Sequence, residues 1–165
     1  MTDMQKLTSK LLTLLMIVAT LAFTACGGSG DDDPISDEAQ RLLDLAGTEG
    51  TVWNATSITF DGAPASGFDN FSLTLFGSES TPLTYTSVDA SPLLEPSGTW
   101  AFNGTNIDQI VLDGNTTNIW VVSNLDTDTA PATMTLTVDF TAPATGVAAG
   151  VAGTDGTYVF NLEAQ

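Results

Sequence analysis

Side chains that carry much of enzyme chemistry are scarce in this sequence. The 165 residues include no histidine and a single cysteine, and the two lysines, Lys6 and Lys10, both lie near the N-terminus. Without histidine there is no Ser-His-Asp triad, no imidazole base and no histidine-ligated zinc or iron. A single cysteine excludes an internal disulfide framework. A chain that began at residue 26 would also lack a lysine for a Schiff base or a phosphate clamp.

Positive charge is equally scarce. The chain has 20 acidic and three basic residues, for a net charge of −17. From Cys26 onward, 20 − 1 = 19 acids face the single base Arg41, so the formal charge becomes −18. Contacts with nucleic acid and with anionic lipid headgroups depend on basic patches. We therefore predict no nucleic-acid partner, and we interpret the acidic residues as a solvated surface rather than a dedicated cation-binding one.

The remaining catalytic option is a pair of carboxylates, as in glycoside hydrolysis. Asp126 and Asp128 form the closest such pair, but they lie in a predicted loop between Asn124 and Pro131. Carboxylates in that setting are typical of solvated turns. Residues 146–156 are rich in alanine and glycine but have no lysine, so they do not form a phosphate-binding loop. We predict that the protein is not an enzyme.

The same loop contains the best metal candidate. Asn124, Asp126 and Asp128 alternate along the chain and supply the oxygen ligands that calcium prefers. The loop lacks the glycine and the distal glutamate of an EF-hand. Calcium is accordingly the one candidate cofactor, and otherwise none is expected.

The N-terminus combines a positive start with a short apolar run. Residues 11–23 are apolar except for two threonines. A helix needs about 20 apolar residues to span a bilayer, so these 13 are too few. This is the pattern of a secretory signal peptide. Residues 21–26, Leu-Ala-Phe-Thr-Ala-Cys, resemble a bacterial lipobox. The resemblance implies cleavage before Cys26 and acyl chains on it, which would anchor the protein in a membrane. The alternative is an ordinary secretory signal with an incidental cysteine.

A flexible tether follows the cysteine. Residues 27–33 read Gly-Gly-Ser-Gly-Asp-Asp-Asp and contain no apolar side chain. Their acidic end is similar to the export signal of Bacteroidota surface lipoproteins. That similarity implies an outer-membrane, lipid-anchored location with exposure at the cell surface, and the alternative is a plain linker. The predicted organisation is a signal peptide (1–25), a tether (26–36), a short helix (37–47) and a β-domain (48–165).

The β-domain is predicted from a hydrophobic period of two. Before it, Ser36 and Gly47 bracket a short helix over 37–46 with Leu42, Leu43 and Leu45 on an apolar side. Eight strands follow, with Asp61-Gly62 as a turn pair after the first. They span 51–60, 71–75, 83–88, 99–103, 109–112, 118–123, 133–140 and 157–162.

Two of these strands have distinct burial patterns. The 118–123 segment (Asn-Ile-Trp-Val-Val-Ser) predicts burial on both faces. In 133–140, alternation predicts Met134, Leu136, Val138 and Phe140 inside. The intervening Thr133, Thr135, Thr137 and Asp139 are expected to face water.

Consecutive short strands with short connections favour an all-β antiparallel meander. Closing about eight strands into a barrel removes the exposed sheet edges. We therefore predict an eight-stranded barrel, with a β-sandwich as the alternative.

Several segments resemble the lipocalin-like lipoproteins of Bacteroidota. They are 71–75 (Phe-Ser-Leu-Thr-Leu), 98–104 (Gly-Thr-Trp-Ala-Phe-Asn-Gly), 110–114 (Ile-Val-Leu-Asp-Gly) and 156–162 (Gly-Thr-Tyr-Val-Phe-Asn-Leu). The resemblance covers about residues 47–163. It implies a lipocalin-like barrel, and it implies no particular ligand.

Large aromatic side chains are the candidate ligand-binding residues. Trp53, Tyr85, Trp100, Trp120 and Tyr158 could line a pocket for a small apolar or glycan ligand. The other interpretation is that they fill the barrel. Two functions remain open: a lipoprotein that binds a small ligand, or a structural or accessory lipoprotein that has a filled core and acts through its outer surface.

Overall fold

The computed structural model describes residues 35–77, 82–142 and 154–165, which contain one helix and nine strands. The helix, α1, spans Asp37–Ala46. The strands are β1 (Thr51–Phe60), β2 (Ala63–Pro64), β3 (Ser72–Phe76), β4 (Thr84–Val88), β5 (Ser97–Asn103), β6 (Asn106–Leu112), β7 (Trp120–Asp126), β8 (Thr133–Phe140) and β9 (Gly156–Ala164). All eight predicted strands and the predicted helix are present.

The strands form a closed barrel. β1 and β3 to β9 pair antiparallel in chain order, and β9 pairs with β1 to close the sheet. The predicted eight-stranded, lipocalin-like barrel is confirmed, and the sandwich alternative is wrong. Because the sheet is closed, none of these eight strands remains as an edge strand that could pair with another chain.

Strand β1 pairs with three other strands. Its start pairs with β3, its end pairs with β2, and its other edge pairs with β9 from Trp53–Ala164 to Phe60–Tyr158. A bulge between Ala55 and Ser57 shifts the register against β9. Because one extra residue reverses which side chains point inward, Ile58 and Phe60 pack against the core after the bulge.

The short strand β2 was not predicted. It forms a hairpin with β1 through Asp61 and Gly62, whose φ angles are 47° and 80°. Positive φ at both residues is the type I′ geometry that suits a two-residue hairpin, so the predicted turn is confirmed. Pro64 suppresses the strand signal in the sequence, and it is tolerated because proline is compatible with an edge strand.

Strand β7 corrects one prediction. Trp120 and Val122 are buried, but Val121 is 38% exposed, so this strand is not buried on both faces. Val121 pairs with Gln109 on β6 and Thr137 on β8, and it lies on the outer face of the barrel. A closed barrel has only one inner face, which a run of apolar residues does not reveal.

Strand β8 follows the predicted alternation. Met134, Leu136, Val138 and Phe140 are buried, and Asp139 is exposed. The three threonines between them are half-buried rather than fully exposed. Neighbouring outer-face side chains cover them, as shown by the Thr135 hydroxyl, which donates to Asn161 Oδ1 at 3.2 Å.

Helix α1 packs at one end of the barrel, here called the helix end. Ser36 Oγ accepts from the Ala39 amide as an N-cap, as predicted. Leu42 and Leu45 join the core, whereas Leu43 is 40% exposed, so the apolar side is narrower than predicted. With ten residues, α1 is not a membrane span, and the described residues contain no helix that is long and apolar enough to be one.

Two polar contacts fix α1 in place. Trp53 Nε1 donates to the Leu45 carbonyl at 2.9 Å. Arg41 donates to the Ile107 carbonyl at 3.3 Å and forms an ion pair with Asp108, at the start of β6. Helix α1 is thus anchored to the first strand and to the β5–β6 hairpin.

The barrel interior is filled with side chains. Twelve large side chains have less than 2% of their surface exposed: Trp53, Trp120, Tyr85, Phe71, Phe160, Leu45, Leu73, Leu75, Ile110, Leu136, Leu162 and Val138. Eight strands enclose a space that side chains can occupy completely. The middle of the barrel therefore acts as a hydrophobic core.

Candidate ligand-binding site

A pocket of about 430 Å³ lies at the end of the barrel opposite α1, here called the mouth. Three connections shape it: β4–β5, β6–β7 and the beginning of β8–β9. Its apolar wall includes Leu93, Leu94, Leu112, Trp120 and Phe140, and its polar wall includes Glu95, Asp113, Asn115, Thr117 and Asn118. The volume falls within the range of small-molecule sites.

Asp113 organises the polar wall. It follows β6 in a left-handed conformation, with φ of 52°. Its Oδ1 accepts from the Thr99 amide at 2.8 Å, and its Oδ2 accepts from Tyr85 Oη at 2.6 Å. The carboxylate therefore links the start of β5 to the inward-facing phenol of β4.

Gly98 makes room for that carboxylate. A Cβ placed at residue 98 would lie 2.1 Å from Asp113 Oδ1 and 2.5 Å from Oδ2. Such distances are far below van der Waals contact, so any larger residue would displace Asp113. Glycine at this position is a requirement of close approach.

Tyr85 is held as a neutral donor. Burial raises the pKa of Tyr85 well above its ordinary range, and the hydrogen bond to Asp113 and that residue's negative charge raise it further. The nearby charge of Glu95 acts in the same direction. Because the phenol stays protonated, the Tyr85–Asp113 pair is suited to holding the wall in shape and unsuited to abstracting a proton.

Asn118 joins two of the connections that form the mouth. Its Oδ1 accepts from the Thr141 amide at 2.8 Å, and its Nδ2 donates to the Thr141 carbonyl at 3.3 Å. The side chain thus pairs with the backbone after β8 as a strand would. Asn115 supports it, since its Oδ1 accepts from the amides of Thr117 and Asn118. These bonds fix the polar wall before any ligand binds.

The five aromatic residues singled out in the sequence do not meet at one cavity. Tyr85 and Trp120 line the mouth pocket, and Tyr158 lines a second cavity of about 180 Å³ beside β2. Trp53 and Trp100 line neither pocket, and their indoles donate to the carbonyls of Leu45 and Phe76. All five side chains are buried.

The two cavities are neighbours. Phe140 lines the mouth pocket and Tyr158 lines the smaller cavity, and their rings pack edge to face with centroids 6.2 Å apart. A pair of packed aromatic rings therefore separates the two spaces.

The calcium candidates lie at the helix end, away from this site. Asn124 and Asp126 belong to β7, which corrects their predicted loop placement, and Asn124 has φ of 51° within a bulge. Asp126 Oδ1 accepts from the amides of Asp128 and Thr129, and its Oδ2 accepts from the Thr129 hydroxyl. In the described part of the chain, no three acidic, histidine or cysteine residues are grouped to hold a metal. Calcium binding here stays a prediction.

Asp113, Asn118 and Gly98 were not predicted as site residues. In the sequence, Asp113 only follows the predicted strand 109–112, and Asn118 only begins the predicted strand 118–123. Asp113 accepts hydrogen bonds from residues that are 14 and 28 positions away in the sequence, and Asn118 accepts one from a residue 23 positions away. The sequence has no local pattern that would report such pairings.

The predicted signal peptide (1–25), Cys26 and the tether through residue 34 lie outside the described residues. No protein-family model, no curated protein and no solved structure matches this chain.

Proposed function

We propose that this protein is a lipid-anchored lipoprotein of the outer membrane, exposed at the cell surface, whose lipocalin-like barrel binds a small apolar or glycan ligand at its mouth. The anchor would be the acylated Cys26, which the lipobox-like segment before it supports. The binding function is supported by the mouth pocket.

The location of the cavity carries the proposal. The middle of the barrel is filled by buried side chains, yet about 430 Å³ remains open at the mouth. Leu94 and Phe140 give the pocket an apolar side, and Asn115 and Thr117 give it a polar side. Apolar walls with a few convergent polar groups are typical of ligand sites.

The role proposed for this pocket is binding without catalysis. Both oxygens of Asp113 already accept hydrogen bonds, and the raised pKa of Tyr85 keeps its phenol protonated. A general base needs a pKa near the working pH and a position within reach of the proton it removes, and a phenol that stays protonated does not meet the first condition. These two residues are better suited to shaping the pocket.

The binding proposal can be tested by filling the pocket. Thr117 is exposed and lines the pocket, and its hydroxyl is not needed for the described hydrogen bond from its backbone amide. Thr117→Trp should abolish the fluorescence gain of Nile red, an uncharged dye that reports apolar sites. Thr105→Trp is the matched control, because Thr105 is an exposed threonine at the opposite end of the barrel. Equal Nile red binding by both variants and the unaltered protein would contradict the proposal.

The anchor has its own test. Cys26→Ser should leave the precursor uncleaved or release the protein from membranes into the soluble fraction. Fractionation with an antibody to the barrel would measure this. A processed variant that remains with the membranes at full yield would refute the lipid anchor and leave the binding proposal intact.

A second candidate, an accessory protein that acts through its outer surface, is favoured by the filled interior. A row of hydrogen-bonded side chains also crosses four strands on that surface: Asn161 Nδ2 donates to Ser57, Thr135 donates to Asn161, and Asn124 donates to Thr135. This candidate predicts that Thr117→Trp leaves function unchanged, whereas Asn161→Arg, which disrupts the row, abolishes it. The two substitutions therefore separate the candidates in any assay of function in cells.

A further inference from the structure

The mouth of the barrel has negative charge and no positive charge. Seven acidic residues of the described chain lie in or beside the connections at this end: Asp61, Asp69, Asp89, Glu95, Asp113, Asp139 and Asp155. No lysine or arginine follows Arg41 in the sequence, and Arg41 lies at the helix end, where it pairs with Asp108. The described part of the mouth therefore has no basic side chain that could balance these carboxylates.

Two of these acids, Glu95 and Asp113, line the mouth pocket. The Asp113 carboxylate accepts from the Thr99 amide and from the Tyr85 phenol, which are neutral donors and leave its negative charge uncompensated. Burial raises the pKa of Tyr85, and the charges of Asp113 and Glu95 raise it further, so both carboxylates lie near this one phenol. Two negative charges thus act on the same part of the pocket.

The cavity beside these carboxylates is what makes them relevant to a ligand. Carboxylates on an open surface are solvated and screened by dissolved ions. Here they border about 430 Å³ of space, and the apolar wall of that space includes Leu94 and Phe140. Low-dielectric walls strengthen the field of the charges beside them and raise the local concentration of ions of opposite sign. The pocket therefore combines room for an organic molecule, an apolar wall and a negative potential.

This potential distinguishes among ligands of the same size. An anion would approach two carboxylates without a counter-ion, and such like-charge contacts cost affinity. An uncharged molecule gains only its contact with the apolar wall. A cation gains that contact together with the attraction of both carboxylates, so a cation should bind most tightly.

From these observations we infer that the mouth pocket takes a small organic cation, whose ammonium group lies beside Glu95 and Asp113 and whose apolar body lies against the apolar wall. This inference rests on the proposed binding function and specifies the charge of the apolar ligand. Glu95 is then a specificity-determining residue, because its charge favours an amine over an alcohol of the same size.

Three probes of matched size and different charge test the inference. Phenethylamine is cationic at neutral pH, phenethyl alcohol is uncharged and phenylpropionate is anionic. Proton–nitrogen correlation NMR titrations of the isotope-labelled protein would measure the affinities from the amide signals of Thr117 and Asn118. The amine should bind most tightly and the carboxylate most weakly, and Thr117→Trp, which fills the pocket, should abolish binding of the amine. The inference is overturned if the amine does not bind, or if either of the other probes binds as tightly.

A second test neutralises one carboxylate. Glu95→Gln keeps the length of the side chain, and it keeps the backbone carbonyl that accepts from the Ser87 hydroxyl at 2.8 Å. This variant should weaken binding of phenethylamine by about twofold to fivefold, the usual effect of one exposed ion pair, and leave the affinity for phenethyl alcohol unchanged.

Glu49→Gln is the matched control for this variant. Glu49 is an exposed glutamate at the helix end, so its replacement changes the net charge equally and leaves the mouth intact. It should bind phenethylamine as the unaltered protein does. If Glu95→Gln binds the amine at full affinity, or if Glu49→Gln weakens binding as much, the carboxylate at the mouth does not recognise the cation and the inference is refuted.

Nile red separates this inference from the proposed function. If Thr117→Trp blocks the dye but the amine binds no more tightly than the alcohol, the pocket is a ligand site and the ligand class is wrong. If neither the dye nor the amine binds, both proposals fail.

Discussion

Truncating one leucine on β8 tests the barrel most directly. Leu136 has no exposed surface, and its strand neighbours in register are Val122 on β7 and Phe160 on β9. Leu136→Ala removes three buried carbons, worth roughly 2.4 kcal/mol at about 0.8 kcal/mol each. A cavity that neighbouring strands cannot fill adds to this, so the free energy of unfolding should fall by about 2–5 kcal/mol. Urea denaturation followed by tryptophan fluorescence would measure the change, and the slope m should stay constant.

Two controls give this measurement its meaning. Leu43→Ala makes the same substitution at a leucine that is 40% exposed on α1, and it should cost less than about 1 kcal/mol. Thr135→Ala, the adjacent outer-face residue, should change the free energy of unfolding by less than about 0.5 kcal/mol. If all three substitutions cost the same, β8 does not separate an inner from an outer face, and the closed barrel cannot be correct.

Three further predictions concern the mouth and the tether. Gly98→Ala should lower the free energy of unfolding by about 1–3 kcal/mol, because the added methyl group displaces the Asp113 carboxylate and leaves the buried Tyr85 phenol without its acceptor. Since Gly98→Ala and Asp113→Ala disrupt the same contact, the double variant should lose less stability than the sum of the two single variants. Because folding raises the pKa of Tyr85, the protonated phenol contributes to the free energy of unfolding, and this contribution should be fully present below about pH 10 and fall as the pH rises further. Denaturant melts at several pH values would measure the fall, and Tyr85→Phe should lack it. The chain has two tyrosines, so ultraviolet titration of Tyr158→Phe would follow the phenol of Tyr85 alone. Replacing residues 31–33 with alanine should keep lipidation but hide the barrel from protease added to whole cells, and unchanged cleavage would make the acidic run a plain linker.

The barrel could be predicted because its information is local. A period of two along β8 and the Asp61-Gly62 turn each depend on neighbouring residues, and each is present in the structure. The same reasoning missed β2, where Pro64 hides a strand that only its pairing with β1 reveals. It also assigned two buried faces to β7, because Val121 on the outer face continues an apolar run.

The candidate site could be predicted only in part. Tyr85 and Trp120 were singled out by size, and both line the mouth pocket. Size could not separate them from Trp53 and Trp100, which are just as large and whose indoles bond to backbone carbonyls elsewhere. What distinguishes Tyr85 and Trp120 is their place in the wall of the mouth pocket, and this follows from the arrangement of distant strands rather than from their sequence neighbours.

The seam between β1 and β9 has a consequence for the order in which the chain folds. Every other pair of adjacent barrel strands is close in sequence, but this seam joins Trp53 to Ala164 and Phe60 to Tyr158. Contacts between distant residues close large loops and slow the search for the native state. Until the last strand arrives, the outer edge of β1 and the free edge of β8 both offer unpaired backbone groups to other chains. Because synthesis proceeds from the N-terminus, β9 is the last of these barrel strands to be made, and its pairing with β1 converts an open, aggregation-prone sheet into a closed barrel.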